Sequence, residues 1–169
     1  PEWEYGDFVE TDSMVFGQDY GFKKDASTLV KIAIDFDREK LYLKEMFYKH
    51  GMNTDDLYRM NKEYCQDNLI IGDSAEPRLI ADLDNKGLYI EPCAKGPGSI
   101  NYGIKLIQGF DIIVDRGSEN LVKELDNYVW KKDKDEPIDN WNHILDAVRY
   151  GVTYLVESNN QGESVMWLD

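Results

Sequence analysis

The apolar residues of this chain change their spacing as the sequence runs, and the change separates strand-like from helix-like stretches. Positions 14–19, 28–36 and 41–48 are short runs of aliphatic and aromatic residues, the last two joined by the polar turn Asp37-Arg38-Glu39-Lys40. They read as three strands of an antiparallel meander. Asn53 or Thr54 can then cap a helix reaching about Cys65, with Leu57, Met60 and Tyr64 on its buried stripe. Asn68-Leu69-Ile70-Ile71 contains a short apolar run that ends in Gly72-Asp73, repeating the design of Gly17-Gln18-Asp19 at the end of the first strand. Pro77 suits the first turn of a helix running through Leu83. A short strand at 88–90, a helix capped by Ser99, a strand at 110–114 and a helix capped by Ser118 and reaching Tyr128 follow. From Ile144 onward, Leu145, Val148, Val152 and Leu155 recur at helical spacing, so the last element is an amphipathic helix packed on a core.

Three stretches lack such patterns. Residues 1–12 read as an irregular lead-in, 131–137 as a solvated charged linker and 158–169 as a flexible tail. A meander followed by alternating strands and helices predicts one α/β domain over residues 1–169. Its mixed sheet combines the antiparallel meander with parallel strands and is flanked by helices.

Three aspartates interrupt the apolar plan where chemistry is possible. Asp19 and Asp73 each end a strand, the usual place for ligands in open α/β sheets. On the last helix, His143 and Asp146 stand three residues apart and point the same way. If adjacent strands bring Asp19 and Asp73 together and the helix packs across them, three carboxylates converge. Like charges so placed resist ionisation, and a divalent cation removes that cost. Two such ions roughly 4 Å apart can activate a water and stabilise the leaving oxygen of a phosphodiester. His143 could ligate, orient the water or transfer a proton. Taken alone, the helix also allows a plainer reading, a surface histidine paired with an acid.

Composition then limits the partners. At 169 residues the chain fits one domain that folds without staples, so a metal would serve chemistry. The formal net charge of −14 argues against tight non-specific binding of nucleic acid by this fragment alone. Carboxylates are also what divalent cations need, and an attached domain can supply DNA affinity. Two distant cysteines, Cys65 and Cys93, form no metal pattern and suggest no oxidising compartment, so an intracellular location is expected. No signal peptide or run of about 18 apolar residues is present, and no membrane association is expected. The start at Pro1 suggests a domain cut from a longer polypeptide. No GxxxxGK[ST] loop occurs, so ATP hydrolysis is not expected here.

Several segments together resemble a known family. They are Phe16-Gly17-Gln18-Asp19-Tyr20-Gly21, Gly72-Asp73-Ser74-Ala75-Glu76-Pro77-Arg78, Lys95-Gly96-Pro97-Gly98-Ser99-Ile100, Tyr102-Gly103-Ile104, Glu124-Leu125 with Tyr128, and the run from His143 to Tyr150. In this order they are similar to the nuclease domain of the large terminase subunit of tailed bacteriophages, which has a ribonuclease H-like fold. The resemblance implies a metal-dependent endonuclease that cuts double-stranded viral DNA during genome packaging, with two manganese or magnesium ions. It matches Asp19, Asp73 and Asp146 to the family's metal-binding acids and His143 to a histidine beside the third. The family commonly has an acid just before that histidine, where this chain has Asn142, so Asp139 becomes a candidate substitute. Asp25 matches an acid in the loop after the first strand, although an Asp in a turn usually caps backbone.

Lys95 is the residue to place near DNA, because its flanking glycines let backbone amides approach a phosphate; an exposed loop lysine is the plainer reading. Trp130 and Trp141 read as core or helix anchors, not base-stacking platforms. The resemblance further implies an ATPase domain in the same polypeptide, the portal and small terminase subunit as partners, and the host cytoplasm as location. A resolvase or RNA nuclease using the same acids, and a non-catalytic docking domain, are the competing readings. Asp146→Asn is expected to leave the fold intact and, without metal, to relieve repulsion.

Overall fold

A computed structural model describes residues 2–21, 25–132 and 142–168. Among the described residues seven strands form one mixed sheet: β1 (Trp3–Tyr5), β2 (Ser13–Gln18), β3 (Ala26–Asp35), β4 (Lys40–His50), β5 (Ile70–Gly72), β6 (Ile90–Pro92) and β7 (Asp111–Val114). Their order is β1-β7-β4-β3-β2-β5-β6. The meander β2-β3-β4 is antiparallel, while β5 pairs parallel with β2, β6 with β5, β7 with β4 and β1 with β7. Five helices flank it: α1 (Thr54–Cys65), α2 (Pro77–Asn85), α3 (Ser99–Gln108), α4 (Glu119–Lys132) and α5 (His143–Leu168).

The alternation along each strand sorts the core into two layers. Val15, Val30, Ile32, Leu43 and Ile71 face one way and pack with Ile144, Ala147, Val148 and Val152 of α5. Their neighbours Phe16, Leu29, Phe47 and Ile70 face the other way and meet Leu57 of α1 with Ile80 and Leu83 of α2. A one-residue shift in register, or the wrong period, would turn either set outward. Both cysteines are buried and free. No described helix is long and apolar enough to cross a membrane.

Several local expectations are met by the chemistry that motivated them. Asn53 caps α1 in a capping box with Asp56, and Pro77 opens α2. Elsewhere tertiary contacts decide. The lead-in contains β1, held as an edge strand by pairing with β7 and by a 3.1 Å bond from Trp3 Nε1 to Asp126. Ser99 is the first helical residue of α3, and the cap position falls to Gly98 with φ +77°, a conformation suited to glycine. The hydroxyl of Ser118 accepts from Glu45 N–H in β4, while Glu45 itself accepts from Leu121 N–H at the start of α4. The last helix continues to Leu168 through the stretch read as a tail. Asn159, Asn160 and Gly162 are weak helix formers, and a propensity reading stops at them; about four preceding turns already established propagate the helix further.

Candidate active site

Gln18 lies opposite Gly72 in the parallel pair β2/β5, so Asp19 and Asp73, the next residues, leave the sheet side by side at its carboxyl edge. The amide of Asp73 donates to the Gln18 carbonyl at 3.2 Å. Below it, the Gln18 and Asn61 side chains are fully buried and exchange two 2.8 Å amide hydrogen bonds, fixing the strand end one residue before Asp19. Helix α5 crosses β2 at Gly17, where a Cβ would stand 2.0 Å from the Ala147 carbonyl oxygen. That close approach brings the first turn of α5 over the strand ends. Buried Thr28 ties the parts together: its hydroxyl accepts from Asp19 N–H at 3.4 Å and donates to the His143 carbonyl at 3.3 Å.

Each of the three aspartates has a cationic or ionisable partner. His143 Nδ1 is 3.4 Å from Asp19 Oδ2, Lys95 Nζ is hydrogen-bonded to Asp73 Oδ1, and Arg149 Nη2 donates to Asp146 Oδ1 at 3.0 Å. Burial lifts the Asp19 carboxyl to about 6, against its bond to His143, and the charges of Asp146 and Asp73 add to the rise. Asp73 is pushed up by burial but, with Lys95 and the Ala75 N–H both bonded to it, ends below the usual carboxylate range. Burial also raises Asp146, in opposition to Arg149, and the bond to Asp19 raises His143.

The structure therefore gathers Asp19, Asp73, Asp146, His143 and Lys95 at one edge of the sheet. Asp25 stands at the rim, 63% exposed, with Oδ1 3.9 Å from His143 Nε2. Asp139 and Trp141 lie outside the described residues. Among the described residues no three acids, histidines or cysteines are already closed to metal-bond separations. Lys95 and Arg149 hold Asp73 and Asp146 in ion pairs. Three carboxylates and an imidazole are nonetheless the donor set that a hard divalent cation of the manganese or magnesium type takes.

The family described as Terminase RNAseH like domain matches residues 19–153, a span that runs from the first site aspartate to beyond the last. The chain belongs to this family. Among curated relatives, the terminase large subunit of Bacillus phage SPP1 is 31% identical over 151 residues, covering 82% of this chain and 35% of that one. The PBSX phage terminase large subunit of Bacillus subtilis (strain 168) is 29% identical over 143 residues, covering 80% and 33%. The chain thus spans about a third of each relative's length. Among solved structures, the g2p large terminase nuclease domain of bacteriophage SPP1, with bound Mn, superposes with a TM-score of 0.73 at 24% identity, covering 90% of this chain and 95% of that one. The fold is the ribonuclease H-like fold of terminases.

Two residues of this terminase domain gained no role from the sequence. Glu124 of α4 is buried and accepts from Ile144 N–H at 3.0 Å and Leu145 N–H at 3.1 Å, so a neighbouring helix supplies the N-terminal cap of α5. Leu121, Glu124 and Leu125 fall on one helical stripe, and an acid on an apolar stripe is the signal that could have found it. Arg149 is the other, and its place three residues after Asp146 was the available clue. Its pairing limits the gain expected from Asp146→Asn: burial opposes the Asp146 charge, but the substitution also removes the carboxylate partner of a buried guanidinium, so the relief is expected to be smaller than at Asp19.

Glu124 also sets a pH dependence. Burial raises its carboxyl from 4.5 to about 7, against the two backbone hydrogen bonds and His143. The native state then holds this proton more tightly than the unfolded chain does, so the contribution is fully present below about pH 4.5 and is lost as pH rises through 7. Melting curves in EDTA are expected to fall from pH 5 to pH 8, with a shallower fall in Glu124→Gln, whose amide oxygen can still accept from both N–H groups. An equal slope in the two proteins removes Glu124 as the source. Glu124→Ala is expected to cost about 1–3 kcal/mol at pH 5 by leaving buried amides unpaired.

Proposed function

We propose that this domain is a metal-dependent endonuclease that cuts double-stranded viral DNA during genome packaging, as part of a large terminase subunit. The observation that carries the reading is the convergence of Asp19, Asp73, Asp146 and His143 at one sheet edge, in a chain of the terminase family. The SPP1 domain that it resembles was determined with manganese, which supports the same class of cofactor here.

Asp19, Asp73 and Asp146 would hold two divalent ions, with His143 as a further ligand or a proton carrier. When bound, such ions supply activation of water and charge stabilisation at the leaving oxygen of a phosphodiester. The protein's own part is positional. The paired ends of β2 and β5 fix Asp19 and Asp73, and Gly17 lets α5 deliver Asp146 and His143 to the same edge. With Nδ1 turned to Asp19, His143 presents Nε2 toward the rim and Asp25, where it can hold or pass a proton. Asp25 thereby gains an outer role near substrate. Lys95, on a loop with Gly96 and Gly98, can exchange Asp73 for a DNA phosphate once metal neutralises the acid.

A net charge of −14 disfavours duplex binding by this domain alone, so its ATPase domain in the same polypeptide, the portal and the small terminase subunit would supply DNA and position, in the host cytoplasm. Linear duplex, branched DNA and RNA:DNA hybrid offered in parallel test the substrate. Duplex cleavage is expected with manganese, less with magnesium and none with calcium, whose longer bonds and looser geometry misplace the water. Equal cleavage in calcium, or preference for branched DNA or hybrid, overturns the reading. Cleavage should also fall steeply with salt.

A further inference from the structure

We propose that Arg149 is a positioning residue for Asp146, and that Gly103 in α3 is present to seat it. This rests on the metal-dependent reading above. Arg149 has only 9% of its side chain exposed, and its guanidinium donates to Oδ1 of Asp146 at 3.0 Å. The guanidinium carbon also stands 5.0 Å from the ring centre of Tyr150. A buried guanidinium is retained against its desolvation cost only where it is paired, and its planar fork fixes direction as well as charge. No hydrogen bond from a described side chain reaches Oδ2 of Asp146, so the ion pair occupies one carboxylate oxygen and leaves the other to the acid cluster.

Gly103 gives the second, independent observation. A Cβ at this position would stand 2.3 Å from Arg149 Cγ and 2.7 Å from Cδ, atoms in the middle of a buried side chain. Thr153 Oγ1 would lie 3.4 Å from the same Cβ, in ordinary contact. Glycine inside a helix costs about 1 kcal/mol against alanine, and here it opens the channel through which the Arg149 stem passes between α3 and α5. The arrangement links α3, which follows the Lys95 loop, to the orientation of a carboxylate on α5. A salt bridge serving only α3–α5 packing would not need to end on the one aspartate of the site that the last helix contributes.

The test is direct Mn2+ binding by the purified 169-residue chain, read by electron paramagnetic resonance of free Mn2+ and independent of cleavage. The proteins are wild type, Arg149→Met, Arg149→Lys and Gly103→Ala, each first shown to be folded by a melting curve in EDTA. Arg149→Met is expected to weaken Mn2+ binding by roughly 10–100-fold, as loss of a residue that orients a ligand does. Arg149→Lys keeps the charge without the fork and is expected to weaken it less. Gly103→Ala keeps both arginine and charge but displaces the stem, and is expected to weaken binding in the same direction. If Arg149→Met does not fold, the lysine and alanine variants decide. Wild-type affinity in folded Arg149→Lys and Gly103→Ala overturns the proposal, as does tighter binding in Arg149→Met, which would make Arg149 a mere competitor for the acid. Failure of the wild type to bind Mn2+ would instead refute the metal-dependent reading itself.

Discussion

Asp19→Asn is expected to abolish DNA cleavage while raising the melting temperature of the metal-free domain at pH 8. Asp19 is buried beside two other acids, and its carboxyl is lifted to about 6 from 3.8, so at pH 8 the native state carries a charge that burial opposes. A shift of this size corresponds to a penalty on the order of 3 kcal/mol relative to the unfolded chain. Asparagine keeps the shape and removes the charge. The gain is expected to shrink as pH falls through 6 and to vanish only well below 3.8, where the wild-type carboxyl is protonated in both states. Manganese at high excess should reverse the order of stability: at about 1,000 times its Kd a ligand stabilises the native state by about 4.1 kcal/mol, and the variant, lacking a charged ligand, gains less. Loss of several kcal/mol of charge stabilisation in the transition state corresponds to about three orders of magnitude in rate. Plasmid nicking and paired melting curves in EDTA and manganese check all of this. Nicking at the wild-type rate removes Asp19 from the site, and a lower melting point in EDTA at pH 8 makes its pairing with His143 structural.

The choice of Asp19 for that experiment depends on the structure. From the sequence, Asp146 is the more attractive acid to neutralise, because it sits on a helix that folds without it. The ion pair with Arg149 reverses the preference, and nothing in the local sequence distinguishes an exposed i,i+3 pair from one whose arginine is buried under α3. What was legible had a period or a chemical signature. The two strands that each end in glycine and aspartate, the meander, the Asn53 and Pro77 helix starts and the His143/Asp146 face were all of this kind. What was missed depends on partners distant in the chain. Three-residue β1 has too few positions to show alternation and exists because β7 offers it an edge. Ser118 was legible as a cap by type, but Glu45, 73 residues away, decides what its hydroxyl binds. Glu124 likewise acts on backbone amides 20 and 21 residues further on.

The same distinction between local and distant causes predicts different outcomes for one added methyl group at two glycines under α5. Gly17→Ala is expected to prevent stable folding, whereas Gly151→Ala is expected to leave a folded, weakened protein. Both glycines lie where α5 rests on the sheet. At Gly17 the new Cβ meets backbone, 2.0 Å from the Ala147 carbonyl oxygen and 2.8 Å from its carbon, with Ile32 Cδ1 at 3.2 Å on another side. No rotamer change relieves a clash with a helix carbonyl, so α5 must lift from β2 or the strand must bend. Either movement opens the layer formed by Val15, Ile32, Ile144, Ala147 and Val148 and separates Asp146 from Asp19 and Asp73. Overpacking alone commonly costs about 1–3 kcal/mol, and a rigid clash at a central helix crossing falls at or beyond the upper end of that range. At Gly151 the Cβ would come within 2.3 Å of Ile32 Cδ1, the far end of a side chain that can turn, and alanine also suits a helix better than glycine. Circular dichroism and urea titration of the two variants measure the difference. A Gly17→Ala protein with the wild-type urea midpoint would show that α5 does not rest on β2 as closely as this geometry requires, and the delivery of Asp146 to the site would need another explanation.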